Sequence, residues 1–244
     1  MGLKAVIFDF NGVVINDEPI HERLISQLLL EENLRPNPKE FQAVCLGRSD
    51  RAGLKMLLER RGRCVTEEYL GELMRRKSQM YLEELSQMET LPSYEGLTDF
   101  ILKLRLENLQ LALVSGALRV EIETVLDRLG LTEQFPIIVA GDDIATSKPE
   151  PDGYLLAVEK LGLKPSECLA IEDAPAGIEA AQRAGLQAVG VANTYPVHML
   201  QRQADWVVDY LSELELDRVR EAFETEVPAR LGASPEASSS DRRA

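Results

Sequence analysis

"KAVIFDFNGVV", Lys4 to Val14, carries an apolar segment straight into a carboxylate, Asp9, and then into Asn11-Gly12. A short, continuous apolar run reads as a strand buried on both faces. A buried strand that ends on a carboxylate presents that group to something, and the rest of the chain has to say what.

Working outward, strand-length apolar runs recur at Ala5 to Phe10, Leu111 to Val114, Ile137 to Val139, Cys168 to Ile171, Ala188 to Val191 and Trp206 to Val208. Helix-length amphipathic segments separate most of them from about residue 95 to 215. That alternation predicts crossover units and a mostly parallel sheet covered on both faces. The first strand stands apart. After it, "EPIHERLISQLLLEENL", "DRAGLKMLLERRG" and "TEEYLGELMRRKSQMYLEELSQM" place apolar residues at spacings of three and four, with Pro19 suited to a first turn and Thr66 to an N-cap. A helical insertion therefore splits the α/β unit, with borders at Asn16 and at "LPSYEG", which ends at Gly96. The expected class is α/β: a Rossmann-like, doubly wound parallel sheet with an inserted all-helical cap. The expected division is 1–16 and 92–225 for the core, 17–91 for the cap and 226–244 for a small, polar, disordered tail.

Composition narrows the function. Of 244 residues, 45% are hydrophobic and 28% charged, which is globular rather than disordered. The formal charge of −14 disfavours nucleic acid and anionic membrane surfaces as partners. Three cysteines, Cys45, Cys64 and Cys168, lie far apart without Cys-x-x-Cys spacing, so neither zinc nor a disulfide framework is expected. With no basic, apolar leader and no spanning run, the expected setting is the cytoplasm.

Open parallel sheets bind ligands outside the carboxyl ends of their strands, near the point where strand order reverses. Asp9 and Asn11 follow the first strand, Ser115 follows "LALV", Lys148 sits in "TSKPEP", and Glu172 and Asp173 follow "CLAI". Three converging carboxylates repel unless a cation shares them, and a hard divalent ion, magnesium, is the simplest partner. A hydroxyl, an ammonium and loop N–H groups beside them suit the oxygens of a transferring phosphoryl group.

In order and separation, "FDFNGVV", "VSGA", "SKPEPDGY" and "IEDAPAGIEAAQRAG" resemble motifs one to four of the haloacid dehalogenase-like hydrolases, and the helical insertion resembles that family's cap of the first type. The likeness runs to about residue 215 and is strongest to the branch holding beta-phosphoglucomutase and sugar-phosphate phosphatases. It implies Asp9 as nucleophile, forming an aspartyl phosphate. It implies Ser115 and Lys148 as phosphate stabilisers, and a Mg2+ site from Asp9, Asn11 through its backbone carbonyl, Glu172 and Asp173. Gly116, Arg48, Arg51 and His21 are the implied substrate contacts; His21 reads equally as a packing residue, and the two arginines equally as solvated charges. The implied partner is a small phosphorylated metabolite, taken by a monomer or weak dimer.

Asn11 departs from the family pattern, which places there the aspartate that protonates the leaving oxygen and later activates water. An amide hydrogen-bonds but carries no proton near pH 7, and positioned acid-base catalysis is worth ~10²–10⁴-fold. The sequence thus leaves open a hydrolase with an altered proton step, an attenuated protein that binds metabolite or partner, and a phosphomutase. Carbon–halogen chemistry is disfavoured by the Glu-Asp pair of motif four.

Overall fold

A computed structural model describes residues 2–225. The expected tail lies outside the described residues. Six parallel strands, β1 (Ala5–Phe8), β2 (Gln110–Val114), β3 (Ile137–Val139), β4 (Cys168–Glu172), β5 (Gln187–Val191) and β6 (Trp206–Val208), form one sheet in the order β3-β2-β1-β4-β5-β6. The order reverses at β1, which pairs β2 on one side, Ala5 opposite Gln110, and β4 on the other, Ala5 opposite Cys168. The crevice that a reversal creates therefore opens at the end of the strand that carries Asp9.

Alternation along each strand sorts side chains into two cores. Val6 and Phe8, Leu111 and Leu113, and Leu169 and Ile171 face a layer built on α5 (Leu97–Leu106), α6 (Arg119–Leu129) and α10 (Leu216–Glu224). Ala5 and Ile7, Ala112 and Val114, and Cys168 and Ala170 face α7 (Asp152–Leu161), α8 (Pro175–Arg183) and α9 (Val197–Leu200). Small residues dominate the second face, as the close approach of α7 and α8 requires.

The remaining helices, α1 (Glu18–Glu31), α2 (Pro38–Val44), α3 (Asp50–Arg60) and α4 (Glu67–Gln87), lie between β1 and α5 in sequence. They share an apolar cluster of their own: Ile25 and Leu28 of α1, Phe41 of α2, Leu54 and Leu57 of α3, Leu70 and Leu73 of α4. Ile20 and Leu24 of α1 and Tyr81 and Leu85 of α4 belong instead to the first sheet core, so these two helices tie the insertion to the sheet. Thr66 caps α4 by accepting from the Tyr69 N–H at 3.2 Å, and Pro19 occupies the first turn of α1, both as the sequence predicts. Helix α2 has no counterpart in the sequence reading. It is a seven-residue segment opened by an Asn37 cap and Pro38, too short for apolar periodicity to register. Among the described residues no helix is long and apolar enough to cross a membrane.

The first strand is shorter than expected, ending at Phe8, because the chain turns out of the ladder at Asp9, whose N–H still donates to Ile171 O at 2.9 Å. Phe8 is fully buried and meets Phe100 and Phe135 edge-on at 6.2 and 5.4 Å. Phe8→Ala should destabilise the fold by ~3–5 kcal/mol, read as a lower midpoint in urea unfolding at unchanged slope.

Candidate active site

The strand ends assemble the predicted cluster. Asp9 Oδ1 pairs with Lys148 Nζ at 2.7 Å, and the same ammonium reaches Glu172 Oε1 at 2.6 Å. Single carboxylate oxygens of Asp9, Glu172 and Asp173 lie within 4.8 Å of one another, and all three residues are buried. Ser115 is held by its own N–H, which donates to Val139 O at 2.9 Å, and its Oγ accepts from the Ala117 N–H at 3.0 Å, leaving the hydroxyl proton available.

Two glycines make this crowding possible. Gly12 adopts φ +78°, and a Cβ there would stand 1.9 Å from Asp173 Oδ2. Gly177, in the first turn of α8, would place a Cβ 1.9 Å from Glu172 Oε2.

Electrostatics follow from three carboxylates and one ammonium in a desolvated space. Burial and the Asp9 charge push the Glu172 carboxyl up to about 8 against the pull of Lys148 and Tyr154, whose hydroxyl donates to Glu172. Burial, Asp9 and Glu172 together raise Asp173 well above the usual carboxylate range. Burial works against a charged Lys148, but Asp9 and Glu172 outweigh it and hold the ammonium above its ordinary value. Glu172 Oε2 and Asp173 Oδ1 have no hydrogen-bond partner. Orphaned, buried carboxylate oxygens beside a third carboxylate form the donor set that a hard divalent cation satisfies. Asp9, Glu172 and Asp173 therefore fit Mg2+.

A cavity above the strand ends is lined by Asp9, Ser115, Gly116 and Lys148 from the sheet side and by Glu18, His21 and Arg48 from the helical insertion. Gly116 packs under the insertion, where a Cβ would meet Ser49 at 2.8 Å. Arg51 does not line this cavity. It is exposed on α3 and pairs with Glu67, which fits the solvated-charge alternative of the sequence reading.

Asn11 stands in a network that the sequence did not disclose. Its amide donates to both oxygens of Asp17 at 3.0 Å, and His21 Nε2 approaches the same carboxylate at 3.1 Å. The Tyr81 hydroxyl also donates to Asp17, and the Tyr81 ring stacks on His21 with centroids 4.9 Å apart. Burial alone would raise Asp17, but His21, Tyr81 and Asn11 overcome it and hold the carboxyl below its ordinary value. For His21, burial and the Lys77 charge oppose protonation, yet Asp17 and Asp50 prevail and its pKa is raised. His21 is thus both a packing residue and a member of the cavity wall. The available signal was the Asp17–His21 spacing of four on a helix.

Lys77 was also missed. It is fully buried, 2.6 Å from Asp50 Oδ2 and 3.6 Å from Glu121 Oε1, joining α4 and α3 of the insertion to α6 beside the sheet. Its signal was a lysine inside the apolar stripe Leu70, Leu73, Tyr81, Leu85.

A parallel sheet whose switch point carries clustered carboxylates and one shared lysine, covered by inserted helices, is the architecture of an α/β hydrolase. The model of the haloacid dehalogenase-like hydrolases matches residues 3–185, and the chain belongs to that family. The beta-phosphoglucomutase of Bacillus subtilis is 33% identical over 227 residues, 91% of this chain and 96% of that protein. The phosphorylated carbohydrates phosphatase of Thermotoga maritima is 28% identical over 188 residues, 77% of this chain and 84% of that protein. Among solved structures, the beta-phosphoglucomutase of Clostridium difficile superposes with a TM-score of 0.81 at 24% identity, over 91% of this chain and 97% of that one.

The Asn11–Asp17 pairing changes what a reversion at position 11 would do. An aspartate there would face the Asp17 carboxylate at hydrogen-bonding distance, and like charges so placed cannot both ionise at ordinary pH. Asn11→Asp alone should lower the thermal midpoint at pH 8, and Asn11→Asp/Asp17→Asn should recover most of the loss. Additive losses in the double variant would show that the two positions are not coupled.

Proposed function

We propose that this chain is a magnesium-dependent phosphatase of small phosphorylated metabolites that works through an aspartyl phosphate on Asp9. The observation that carries the reading is the placement of the Asp9 carboxylate. It leaves β1 beside two further buried carboxylates and is oriented by Lys148 at 2.7 Å. The phosphatase of Thermotoga maritima, named for phosphorylated carbohydrates, supports the substrate class.

In this reading Asp9 attacks phosphorus, the Ser115 hydroxyl and the Lys148 ammonium hold the equatorial oxygens, and the leaving group departs toward the cavity lined by Arg48 and His21. The ammonium and hydroxyl are placed before the substrate arrives, so charge that develops on phosphorus meets fixed partners. Asp9, Glu172, Asp173 and the Asn11 carbonyl would hold Mg2+, which when bound supplies charge neutralisation between the anionic cluster and the anionic substrate. Residues 17–91 act as the lid that excludes water and brings Arg48 to the substrate. Among the described residues lining the cavity, Lys148 is already shared by two carboxylates and His21 is paired with Asp17, which leaves Arg48 as the uncommitted cation. One cation for the far end of the substrate favours a monophosphate ester over the doubly phosphorylated sugar that a mutase must hold. The Asn11 amide, tied to Asp17, gives the attenuated, binding-only reading its foothold.

Turnover of acyl, aryl and sugar phosphates should require Mg2+, stop on addition of EDTA, and fall to background in Asp9→Asn. Tight, Mg2+-dependent binding of the same compounds, without release of phosphate by the unmodified chain, would favour the binding reading instead.

A further inference from the structure

Asn11 leaves the phosphatase reading without a proton carrier; of the cavity's carboxyls that the reaction as described does not use, Asp50 pairs with Lys77 and Glu150 with Arg183, which leaves Glu18. Glu18, the first residue of α1, lines the cavity with Asp9, Asn11 and Ser115. No hydrogen bond or ion pair reaches its carboxyl among the described residues, whereas the neighbouring Asp17 is fully engaged.

We propose that Glu18 carries the proton that Asn11 cannot: its partly buried, unpaired carboxyl opens onto the same cavity as the Asp9 nucleophile, on the side from which the leaving group departs. The proposal rests on the phosphatase reading. In the first step Asp9 forms a bond to phosphorus as the ester P–O bond breaks, and the Glu18 carboxyl gives its proton to the departing oxygen. In the second step the Glu18 carboxylate takes a proton from water as that water bonds to phosphorus. The bond between phosphorus and Asp9 then breaks, releasing phosphate, free Asp9 and protonated Glu18.

The surroundings suit a group that must be protonated in one step and ionised in the next. An acid in the first turn of a helix is ordinarily favoured as the anion. Here burial comes first in the opposite sense, His21 on the same helix pulls back toward ionisation, and the charges of Asp17, Asp50 of α3 and Asp9 beyond β1 push the other way. The carboxyl ends up at about 7. Asp173 beyond β4 and the phenols of Tyr94 and Tyr195 also feel the Glu18 charge, and Arg48 and Lys148 line the same space as cations. The sign follows. Formation of the phosphoenzyme, which needs protonated Glu18, should weaken as pH rises through about 7. Its hydrolysis, which needs the carboxylate, should strengthen over the same range.

The test compares the Mg2+-loaded chain with Glu18→Gln and Glu18→Asp on aryl phosphates of graded leaving-group acidity and on an alkyl phosphate, measuring phosphoenzyme formation and decay separately. Glu18→Gln should lose ~10²–10⁴-fold in formation on the alkyl phosphate and far less on the most acidic phenol. It should also lose the limb near neutral pH, with KM little changed, while Glu18→Asp keeps a limb. Carboxyl infrared difference spectra of the folded chain should show a titration near neutrality that is missing in Glu18→Gln. A Glu18→Gln variant that retains both the limb and the original leaving-group dependence overturns the proposal, as does a uniform loss across leaving groups with a raised KM, the mark of a purely binding role. In both cases Asp9-dependent turnover persists, so the phosphatase reading survives. An unmodified chain inert toward every ester, even the most acidic, would overturn both.

Discussion

One ammonium shared by two carboxylates is the constraint on which the site depends. Lys148 reaches Asp9 at 2.7 Å and Glu172 at 2.6 Å, and these two groups sit at the ends of adjacent strands, β1 and β4. The lysine therefore fixes the Asp9 carboxylate against the sheet and ties the ends of the central strand pair together. It does not neutralise the cluster. With Asp173 included, negative charge exceeds positive, and the excess shows as raised carboxyls on Glu172 and Asp173 and as two orphaned oxygens. Buried charge left in this condition costs stability unless a ligand completes it, so the fold holds its centre in a state that binding of a cation relieves.

That centre was legible because each of its members follows an apolar run. Strands buried on both faces announce themselves, and polar residues at their ends stand out against them. Two of the six expected runs match the strands end to end and the other four needed a shift of one or two residues at an end; β4 extends to Glu172, for example, because that residue still pairs with Gly190 of β5. The insertion was legible at α1, α3 and α4 for the opposite reason, a sustained helical period. Helix α2 escaped since seven residues hold too few turns. The polar contacts between insertion and sheet escaped more completely. Asp17, Tyr81, Lys77, Asp50 and Glu121 come from three helices and the turn before α1, and no local pattern pairs residues sixty positions apart. Arg51 was readable only as two alternatives, substrate contact or solvated charge, because sequence does not show which way α3 turns; its ion pair with Glu67 fits the second.

Those unforeseen contacts seat the helical insertion against the sheet unit. Lys77 is fully buried among Asp50 of α3, Glu121 of α6 and the Tyr81 ring, with its Nζ 5.0 Å from the ring centroid. A buried ammonium with two carboxylates has few alternative arrangements, because breaking one contact leaves a charge uncompensated. Asp50 lies next to Ser49 and Arg48, and Glu121 lies in the first turn of the helix that follows Ser115 and Gly116. The position of Arg48 and Ser49 is thereby set relative to the Ser115 hydroxyl through a single side chain. Asn11, Asp17 and His21 perform a similar office at the other edge of the cavity, where β1 gives way to α1.

Asn-Gly is the sequence pair most prone to lose ammonia through a cyclic imide, in which the glycine nitrogen attacks the asparagine side-chain carbonyl. In this chain the Gly12 N–H is committed to Ile15 O at 2.8 Å, its carbonyl accepts from Asn193 at 2.7 Å, and the Asn11 amide is anchored on Asp17. Ring closure would have to break all of these in a turn that Asp173 already crowds. The fold thus shields its own covalent identity at position 11. Chemical ageing at this bond becomes a clock for time spent unfolded, and a stock of the protein kept native keeps its amide.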